Sequence, residues 1–457
     1  RVGPASSRES YLNQQRIIEV AGVTGADAIH PGYGFLAENA EFAGRCEKAG
    51  IIFIGPKSET IALLGDKLEA RRTARGAGLS VVPGTDFDIR DMSKAAALAD
   101  EIGYPILVKA AAGGGGKGMR IIRAGDPLIE SVESAVREAG SAFGDGRVYF
   151  EKYLERPRHV EMQILADRYG RAVYLGEREC SIQRRHQKVI EESPSPIMTG
   201  ELRARMGKAA IDIVLASGYV GAGTVEFLVD QDHSFYFLEV NTRLQVEHPV
   251  TEMVTGIDIV RNQIRIAEGR PLDIKQEDIR PNGHAIECRI YAEDPHHDFM
   301  PSTGTVTECR EPSGPGVRVD SGIVAGSEIP LFYDPIIAKL VVWGRTREEA
   351  IARSLRAILE YRIAGVRTTL DFACAVMNSR GFILGDYATD FIDREFPERQ
   401  FACRDTGVEE RAAIAAILYE HFSRQRVSAG SVRRGQSSSG WLQYHRGQGI
   451  KRLGGGR

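Results

Sequence analysis

The chain has few cysteines, no long apolar segment and no marked excess of either charge. Its six cysteines are scattered and form no close pair of the kind that zinc sites use, so we expect reduced, mostly buried thiols. No apolar run approaches the roughly 20 residues that a transmembrane helix needs. The first residues lack the charged-then-apolar plan of a secretory signal peptide. A formal net charge of -3 argues against a general nucleic-acid binder. These absences predict a cytoplasmic protein without a membrane or nucleic-acid partner.

The length and the order of the predicted elements indicate several domains. At roughly 150 residues per domain, 457 residues suggest about three. Helix-like and strand-like segments alternate over 17–55, which favours part of an open α/β sheet. Strand candidates dominate 148–163 and 172–182, and a helix is predicted over 202–217. From residue 283 to about residue 393 the pattern is that of a smaller α+β unit.

The C-terminal end has a different composition from the rest. A helix is predicted over 409–425, and the residues after it are basic and rich in Gly, Ser and Arg. Such a segment buries too little apolar area to order itself, so we expect a disordered end. A docking segment is the alternative.

A predicted β-hairpin carries two opposed carboxylates. The strands GTVEFLV and FYFLEVN flank the polar segment DQDHS. If Asp232 and His233 form the centre of the turn, Glu226 lies opposite Glu239, and Asn241 shares the face of Glu239. Like charges directly opposite each other destabilise a sheet, whereas a magnesium ion would use both as ligands. The alternative is a solvated hairpin face on which the carboxylates spread apart.

A glycine-rich loop separates two strand candidates, PILVKA and MRIIRA. Consecutive glycines let backbone N–H groups approach phosphate oxygens, and Lys109 and Lys117 add positive charge. The loop is not a Walker motif, because Lys117 is followed by Gly118 and Met119. It predicts a cover for a nucleotide, with a flexible linker as the alternative.

A dense polar stretch, CSIQRRHQKVIEE, covers 180–192. It places Arg184, Arg185, His186 and Lys188 between strand-like segments, which suits anionic substrates such as phosphate or bicarbonate. The alternative is a charged surface strand.

A third polar segment directly follows the second strand of the hairpin. Arg243 could hold a small planar oxyanion, Gln245 could orient it, and Glu247 could remove its proton as a general base. An ordinary turn with a salt bridge is the alternative.

Together these stretches resemble the biotin carboxylase family, from Ala5 to about Asp393. The most specific motifs are NTRLQVEHPVTE and SIQRRHQK. The others are HPGYGFLAEN (30–39), GDK (65–67), GGGGKGMR (113–120), EKYLERPRHVE (151–161), GTVEFL (223–228), GHAIECRI (283–290) and YDPIIAKL (333–340).

The resemblance implies a fold of mixed α/β and α+β class, the ATP-grasp fold. It implies a truncated N-terminal α/β domain over 1–64, which lacks the first strand and helix that family members usually have. It also implies an ATP-grasp domain over 65–282. A mobile lid over about 82–153 carries the glycine loop. A C-terminal biotin carboxylase domain over 283–393 and the helix and basic tail over 394–457 complete the chain.

The resemblance also implies site residues. Those that would contact the nucleotide are Lys67, Lys109, Gly114, Gly115, Gly116, Met119, Glu151, Lys152, Leu154, His159, Gln183, His186 and Leu228. Those that would bind magnesium are Glu226, Glu239 and Asn241. Those that would bind or activate bicarbonate are Lys188, Arg243, Gln245, Val246 and Glu247. Those expected at biotin are Tyr33, in its pocket, and Arg318, in GVRVD, as the residue that stabilises the biotin enolate.

The implied reaction is the carboxylation of biotin with bicarbonate and MgATP, or MnATP, through carboxyphosphate. No Ala-Met-Lys-Met attachment motif is found, so biotin is expected on a separate carrier protein or domain. A carboxyltransferase would then pass the carboxyl group to acetyl-CoA, propionyl-CoA, another acyl-CoA or pyruvate. The family is commonly dimeric. Two alternatives are another ATP-grasp carboxylate ligase and an inactive scaffold subunit.

Overall fold

The computed structural model describes residues 1–89, 91–112, 118–401 and 413–421. The chain divides into two compact units, Arg1–Ala402 and Cys403–Arg457. In the second unit the described residues 413–421 are helical, within the helix predicted over 409–425; the basic tail lies outside the described residues.

The first unit contains the following elements. Its helices are Gln14–Thr24 (α1), Ala40–Lys48 (α2), Ser58–Gly65 (α3), Lys67–Gly76 (α4), Met92–Ile102 (α5), Leu128–Phe143 (α6), Gly200–Ala216 (α7), His248–Thr255 (α8), Ile259–Ala267 (α9), Arg347–Glu360 (α10), Leu370–Asn378 (α11), Arg380–Leu384 (α12) and Phe391–Glu395 (α13). Its strands are Ala28–Ile29 (β1), Ile52–Phe53 (β2), Ile106–Ala110 (β3), Arg120–Ile122 (β4), Val148–Lys152 (β5), Arg158–Ala166 (β6), Ala172–Arg184 (β7), Gln187–Ser193 (β8), Gly221–Val229 (β9), Phe235–Asn241 (β10), His284–Tyr291 (β11), Glu293–Asp294 (β12), Met300–Pro301 (β13), Gly304–Thr305 (β14), Glu308–Arg310 (β15), Val317–Ser321 (β16), Glu328–Ile329 (β17), Ile336–Gly344 (β18) and Arg362–Ala364 (β19).

An eight-stranded sheet in the order β10-β9-β6-β7-β8-β11-β18-β16 forms the centre of this unit. Its neighbouring strands are antiparallel. In β6, Val160, Met162 and Ile164 point into a core shared with α7, and burial of each stabilises the fold by roughly 1.5–3 kcal/mol. Because side chains alternate along a strand, His159 and Glu161 lie on the opposite face. That face carries the polar groups of the site.

The predicted lid region forms a separate layer with its own core. Strands β3, β4 and β5 build an antiparallel sheet in the order β4-β3-β5. Helix α6 buries Val132 and Ala135 against Ile106 and Phe150 of this sheet, as helical spacing on one face allows. The two predicted strands around the glycine loop are thus confirmed. Residues 113–117, which include Gly114, Gly115 and Gly116, lie outside the described residues.

The N-terminal segment contains the predicted alternation of helices and strands. β1 and β2 pair in parallel, and α1 and α2 share a hydrophobic core with them. Between β1 and α2, Gly32 and Gly34 have φ angles of 63° and 75°, which favour glycine because it has no Cβ. These two positions shape the turn that carries Tyr33.

The C-terminal part continues the large sheet across the predicted border at 282/283. Strand β11 pairs with β8 on one side and with β18 on the other. The division into domains stays a prediction, but the hydrogen bonds of one sheet cross this border.

The cysteine prediction holds in part. Cys46, Cys180, Cys288 and Cys309 are free thiols, and the first three are buried. Cys374 is disulfide-bonded, so the prediction of reduced thiols is wrong at that residue. Among the described helices, none has the length and apolar character needed to cross a membrane.

Candidate active site

A cavity of about 1880 Å³ lies between the lid sheet, the large sheet and the N-terminal turn. Most of the predicted site residues line it: Tyr33, Lys67, Lys109, Met119, Glu151, Lys152, Leu154, His159, Gln183, His186, Lys188, Glu226, Leu228, Glu239, Asn241, Arg243, Gln245 and Val246. Glu247 lies behind this lining and is fully buried.

The hairpin of β9 and β10 places Glu226 directly opposite Glu239. The pairs nearest the turn, such as Tyr236 with Leu228, show a turn centred on Asp232 alone, half a residue from the predicted centre. A bulge between Phe237 and Glu239 then shifts the register by one residue. The predicted opposition of the two carboxylates is confirmed, and the bulge produces it.

Ammonium and amide groups surround both carboxylates. Lys67 Nζ lies 2.8 Å from Glu239 Oε2. Glu226 Oε1 accepts from Lys188 Nζ at 2.7 Å and from Asn241 Nδ2 at 2.8 Å, and Glu226 Oε2 is 2.7 Å from His159 Nε2. Burial raises the pKa of Glu226, but Lys188 and His159 outweigh it and hold this pKa well below its usual range. Glu226 is therefore ionised.

These residues also fit a divalent cation. Two carboxylates and an amide oxygen are hard oxygen donors of the kind that Mg²⁺ and Mn²⁺ prefer. Atoms of His159, Glu161 and Glu226 form another possible ligand group within 4.8 Å. Lys188 contacts both carboxylates of that group, and within the hairpin pair Lys188 contacts Glu226 and Lys67 contacts Glu239.

Lys188 joins three buried carboxylates, which we call the carboxylate cluster: Glu161, Glu226 and Glu247. Its Nζ lies 2.5, 2.7 and 2.8 Å from them, respectively. The lysine follows a two-residue turn, Arg185–His186, whose φ angles of 50° and 65° match a tight β-hairpin. Burial lowers the pKa of Lys188, but the three carboxylates outweigh burial and raise it well above its usual value.

Glu247 is held between two cations. Lys188 Nζ contacts one of its oxygens, and Arg289 Nη2 donates to the other at 2.9 Å. Burial raises the pKa of Glu247, but Lys188 and Arg289 outweigh it and lower this pKa. Glu247 is a carboxylate in this arrangement.

Arg243 is positioned from the N-terminal segment. Its Nε donates to Glu38 Oε2 at 2.8 Å, and its Nη1 and Nη2 donate to Gln245 Oε1 and Asn241 Oδ1, each at 3.0 Å. Glu38 also accepts from the backbone N–H of Thr242. Glu38 lies in the motif HPGYGFLAEN, from which no role for this residue was predicted.

The lid side of the cavity presents a second cationic group. Lys109 Nζ is 3.0 Å from Glu151 Oε2, and Arg71 binds the other oxygen of Glu151. Lys152 Nζ is held by the carbonyls of Gly103 and Tyr104, each at 2.8 Å. These contacts fix the cations where β3 and β5 line the cavity.

Two arginines of the C-terminal part differ in their position relative to the cavity: Arg318, which was predicted at biotin, and Arg289, to which no role was predicted. Arg318 does not line the cavity, and its guanidinium is bound by Asp320 and Glu252 at 2.8–2.9 Å. Arg289 does line it, between Glu191 and Glu247. The signal that could have identified Arg289 is the pair of charges in the otherwise apolar strand HAIECRIY, where Glu287 and Arg289 share one face.

Three protein-family models match the chain in succession. They are the biotin carboxylase N-terminal domain over 1–61, the carbamoyl-phosphate synthase L chain ATP-binding domain over 66–275, and the biotin carboxylase C-terminal domain over 287–394. Biotin carboxylase 1 of Bacillus subtilis is 51% identical, over 86% of this chain and 87% of its own length. This chain belongs to the biotin carboxylase family.

Solved structures of two biotin carboxylases are similar to most of the chain. A biotin carboxylase domain dimer of the 2-oxoglutarate carboxylase from Hydrogenobacter thermophilus, in complex with MgADP, ADP and bicarbonate, has a TM-score of 0.85, is 47% identical and is covered over 88% of each chain. The biotin carboxylase of Campylobacter jejuni, solved as a βγ-ATP complex, has a TM-score of 0.83, 48% identity and coverage of 85% and 86%. The predicted ATP-grasp fold and the ligase class are thereby confirmed.

Proposed function

We propose that this chain carboxylates biotin on a carrier protein, with MgATP and bicarbonate, as the first half-reaction of an acyl-CoA or pyruvate carboxylase. The observation that carries the proposal is a buried row of alternating charges, Lys188–Glu247–Arg289, at the cavity that Arg243 also lines.

The nucleotide end is formed by the lid edge and the hairpin. Lys109 and Lys67 would face the phosphates, whose negative charge suits these two cations, and His159 would lie beside them. Glu226, Glu239 and Asn241 would hold Mg²⁺ or Mn²⁺, which draws charge from the phosphate oxygens when bound. The remaining predicted nucleotide contacts, among them the glycine loop, stay predictions.

The bicarbonate end is formed by Arg243, Gln245 and Lys188. The fork of Arg243, already oriented by Glu38, suits a planar oxyanion. Glu247 would take the bicarbonate proton, and the freed oxygen would attack the γ-phosphorus while the bond to the β–γ bridging oxygen breaks. The products are ADP and carboxyphosphate. The low pKa makes Glu247 a weak base. As the proton moves to Glu247, the ammonium of Lys188 would shift its hydrogen bonding from Glu247 toward the anionic substrate, which raises the pKa of Glu247.

The biotin end is formed by Tyr33 and Arg289. Carboxyphosphate would break into carbon dioxide and phosphate, and the phosphate would take the N1 proton of biotin. Arg289 would balance the charge left on biotin, which then attacks carbon dioxide. The structure supports Arg289 over Arg318 for this role because Arg289 lines the cavity. Lid closure would exclude water from the labile intermediate.

We further propose that the biotin arrives on a separate carrier, that a carboxyltransferase uses the product, and that the enzyme is a homodimer. A solved relative is a biotin carboxylase domain dimer. The final acceptor and the cytoplasmic location stay predictions.

Free biotin tests the proposal directly. We expect ATP cleavage that requires bicarbonate and rises when biotin is added, with carboxybiotin as the product. ATP cleavage that requires an amino acid or amine would favour another ATP-grasp ligase. Nucleotide binding without any turnover would favour a scaffold.

A further inference from the structure

Two acidic side chains that the proposed reaction does not use lie next to each other in the large sheet. Glu191 on β8 and Glu287 on β11 are direct partners in the strand register. Both are fully buried. Side chains directly opposite across antiparallel strands have Cβ atoms about 4.5–5.5 Å apart, so the two carboxyl groups can meet.

In the described part of the chain, Glu191 and Glu287 both have carboxyl oxygens without a hydrogen-bond partner, and a proton between the two groups could supply the missing bond. Glu191 Oε1 accepts from Arg289 Nε at 2.6 Å, and Arg289 Nη2 donates to Glu247. Within the described residues, Glu191 Oε2 and both oxygens of Glu287 have no hydrogen-bond partner. A proton on Glu287 would turn one of its oxygens into a donor, and Glu191 Oε2 could accept from it. One proton would therefore satisfy two of these buried oxygens.

Among the residues that the structure describes, no cation hydrogen-bonds to Glu287. On β11, Arg289 is shared by Glu191 and Glu247. On β18, Lys339 donates to the carbonyl of Val246 at 3.0 Å and lies 3.3 Å from Asp320 of β16.

Beyond these strands, α8 covers this face with Glu247 and His248 at its start, and Arg318 of β16 is bound by Asp320 and Glu252. Burial and the charge of Glu191 outweigh the opposing charges of Lys339 and Arg289 and raise the pKa of Glu287 well above its usual value. Burial also raises the pKa of Glu191, against the opposing effect of Arg289.

We propose that Glu191 and Glu287 share one proton and thereby position Arg289 against Glu247, as positioning residues for the biotin end of the site. The inference rests on the proposed function, because that function gives Arg289 and Glu247 their roles. With one proton, the pair carries a single negative charge, which holds Nε of Arg289 and leaves Nη2 for Glu247. A second negative charge would draw the guanidinium into the sheet and away from the cavity.

Infrared spectroscopy of the full chain tests the shared proton without any activity. At neutral pH we expect the C=O band of a protonated carboxyl group that disappears in Glu287→Gln. The matched control is Glu177→Gln, because Glu177 is equally buried but bound to Arg203; it should leave the band in place. An unchanged band in Glu287→Gln would overturn the proposal.

Folding gives a second measurement. A neutral Glu287 tolerates a neutral replacement of the same shape, so Glu287→Gln and Glu287→Met should both fold. If both fail to fold while Glu177→Gln folds, Glu287 is ionised in the native protein and the proposal is wrong.

The pH profile tests the positioning role. In the wild type, loss of the shared proton at alkaline pH should lower the biotin-stimulated rate. Glu287→Gln cannot gain this charge, so its alkaline limb should move up by about one pH unit or more. An unmoved limb would refute the link to Arg289. A wild type with the infrared band but without biotin-stimulated turnover would instead refute the proposed function.

Discussion

Replacement of Lys188 by methionine removes the central cation of the carboxylate cluster. The ammonium of Lys188 contacts Glu161, Glu226 and Glu247 at 2.5–2.8 Å, and its side chain is 12% exposed. Methionine has a similar length and flexibility, so the loss of packing is small. The variant therefore isolates the effect of the charge.

The size of the effect follows from the other partners of the cluster. Arg178 Nε is 2.5 Å from Glu161, His159 Nε2 is 2.7 Å from Glu226, and Arg289 Nη2 is 2.9 Å from Glu247. Each carboxylate thus keeps at least one partner, but the cluster gains one uncompensated negative charge. Breaking a buried ion pair costs about 3–5 kcal/mol, and we expect a loss of that size at pH 8.

The loss should depend on pH. Without Lys188, the pKa of at least one carboxylate in the folded state rises, and protonation removes the excess charge. A raised folded-state pKa stabilises the protein at low pH, and this stabilisation disappears as pH rises through that pKa. The difference in stability between wild type and variant should therefore be smaller at pH 5.5 than at pH 8.

Urea unfolding followed by circular dichroism between pH 5.5 and 8 measures this difference. Lys208→Met is the control, because Lys208 forms an exposed pair with Asp212 within α7 and should contribute little. A loss at pH 8 no larger than that of the control, or a loss equal at both pH values, would refute the charge argument.

Three further predictions concern single side chains. Glu239→Gln should lower turnover by about 100-fold or more without unfolding the protein, since it removes a proposed metal ligand; wild-type rates would exclude the metal assignment. Arg289→Ala should lower biotin-dependent carboxylation about tenfold or more beyond its effect on biotin-independent ATP cleavage, whereas Arg318→Ala should affect both little; the opposite order would restore the assignment to Arg318. Glu192 has its pKa lowered to about 2, because hydrogen bonds and charges from His284 and Arg347 outweigh burial. The stability advantage of wild type over Glu192→Gln should thus be about 3 kcal/mol at pH 7 and should vanish as pH falls from about 4.5 to about 2; an advantage equal at pH 7 and pH 3 in acid-unfolding curves would contradict this.

The sequence was informative where chemistry depends on alternation along one strand or one turn. The opposition of Glu226 and Glu239 could be predicted from the hairpin, although the bulge that sets the register could not be seen. A β-bulge adds one residue to one of two paired strands, and no residue pattern marks that extra residue in a strand such as FYFLEVN.

Contacts between distant segments could not be predicted from the sequence. Glu38 meets Arg243 across 205 positions of the chain, and Arg289 meets Glu247 across 42. Local patterns carry no information about which strands become neighbours in an antiparallel sheet. The contact of Arg289 with Glu247 could not be predicted from the sequence for this reason.

The uninterrupted central sheet has a consequence for any attempt to divide this enzyme. Cleavage between residues 282 and 283 would remove β11 and leave the N–H and C=O groups of β8 along Ile190–Ser193 without their ladder. A newly exposed edge of this kind recruits other strands, so the fragment is prone to aggregate. The nucleotide-binding half and the C-terminal half are thus parts of one hydrogen-bonded body, even though separate family models describe them.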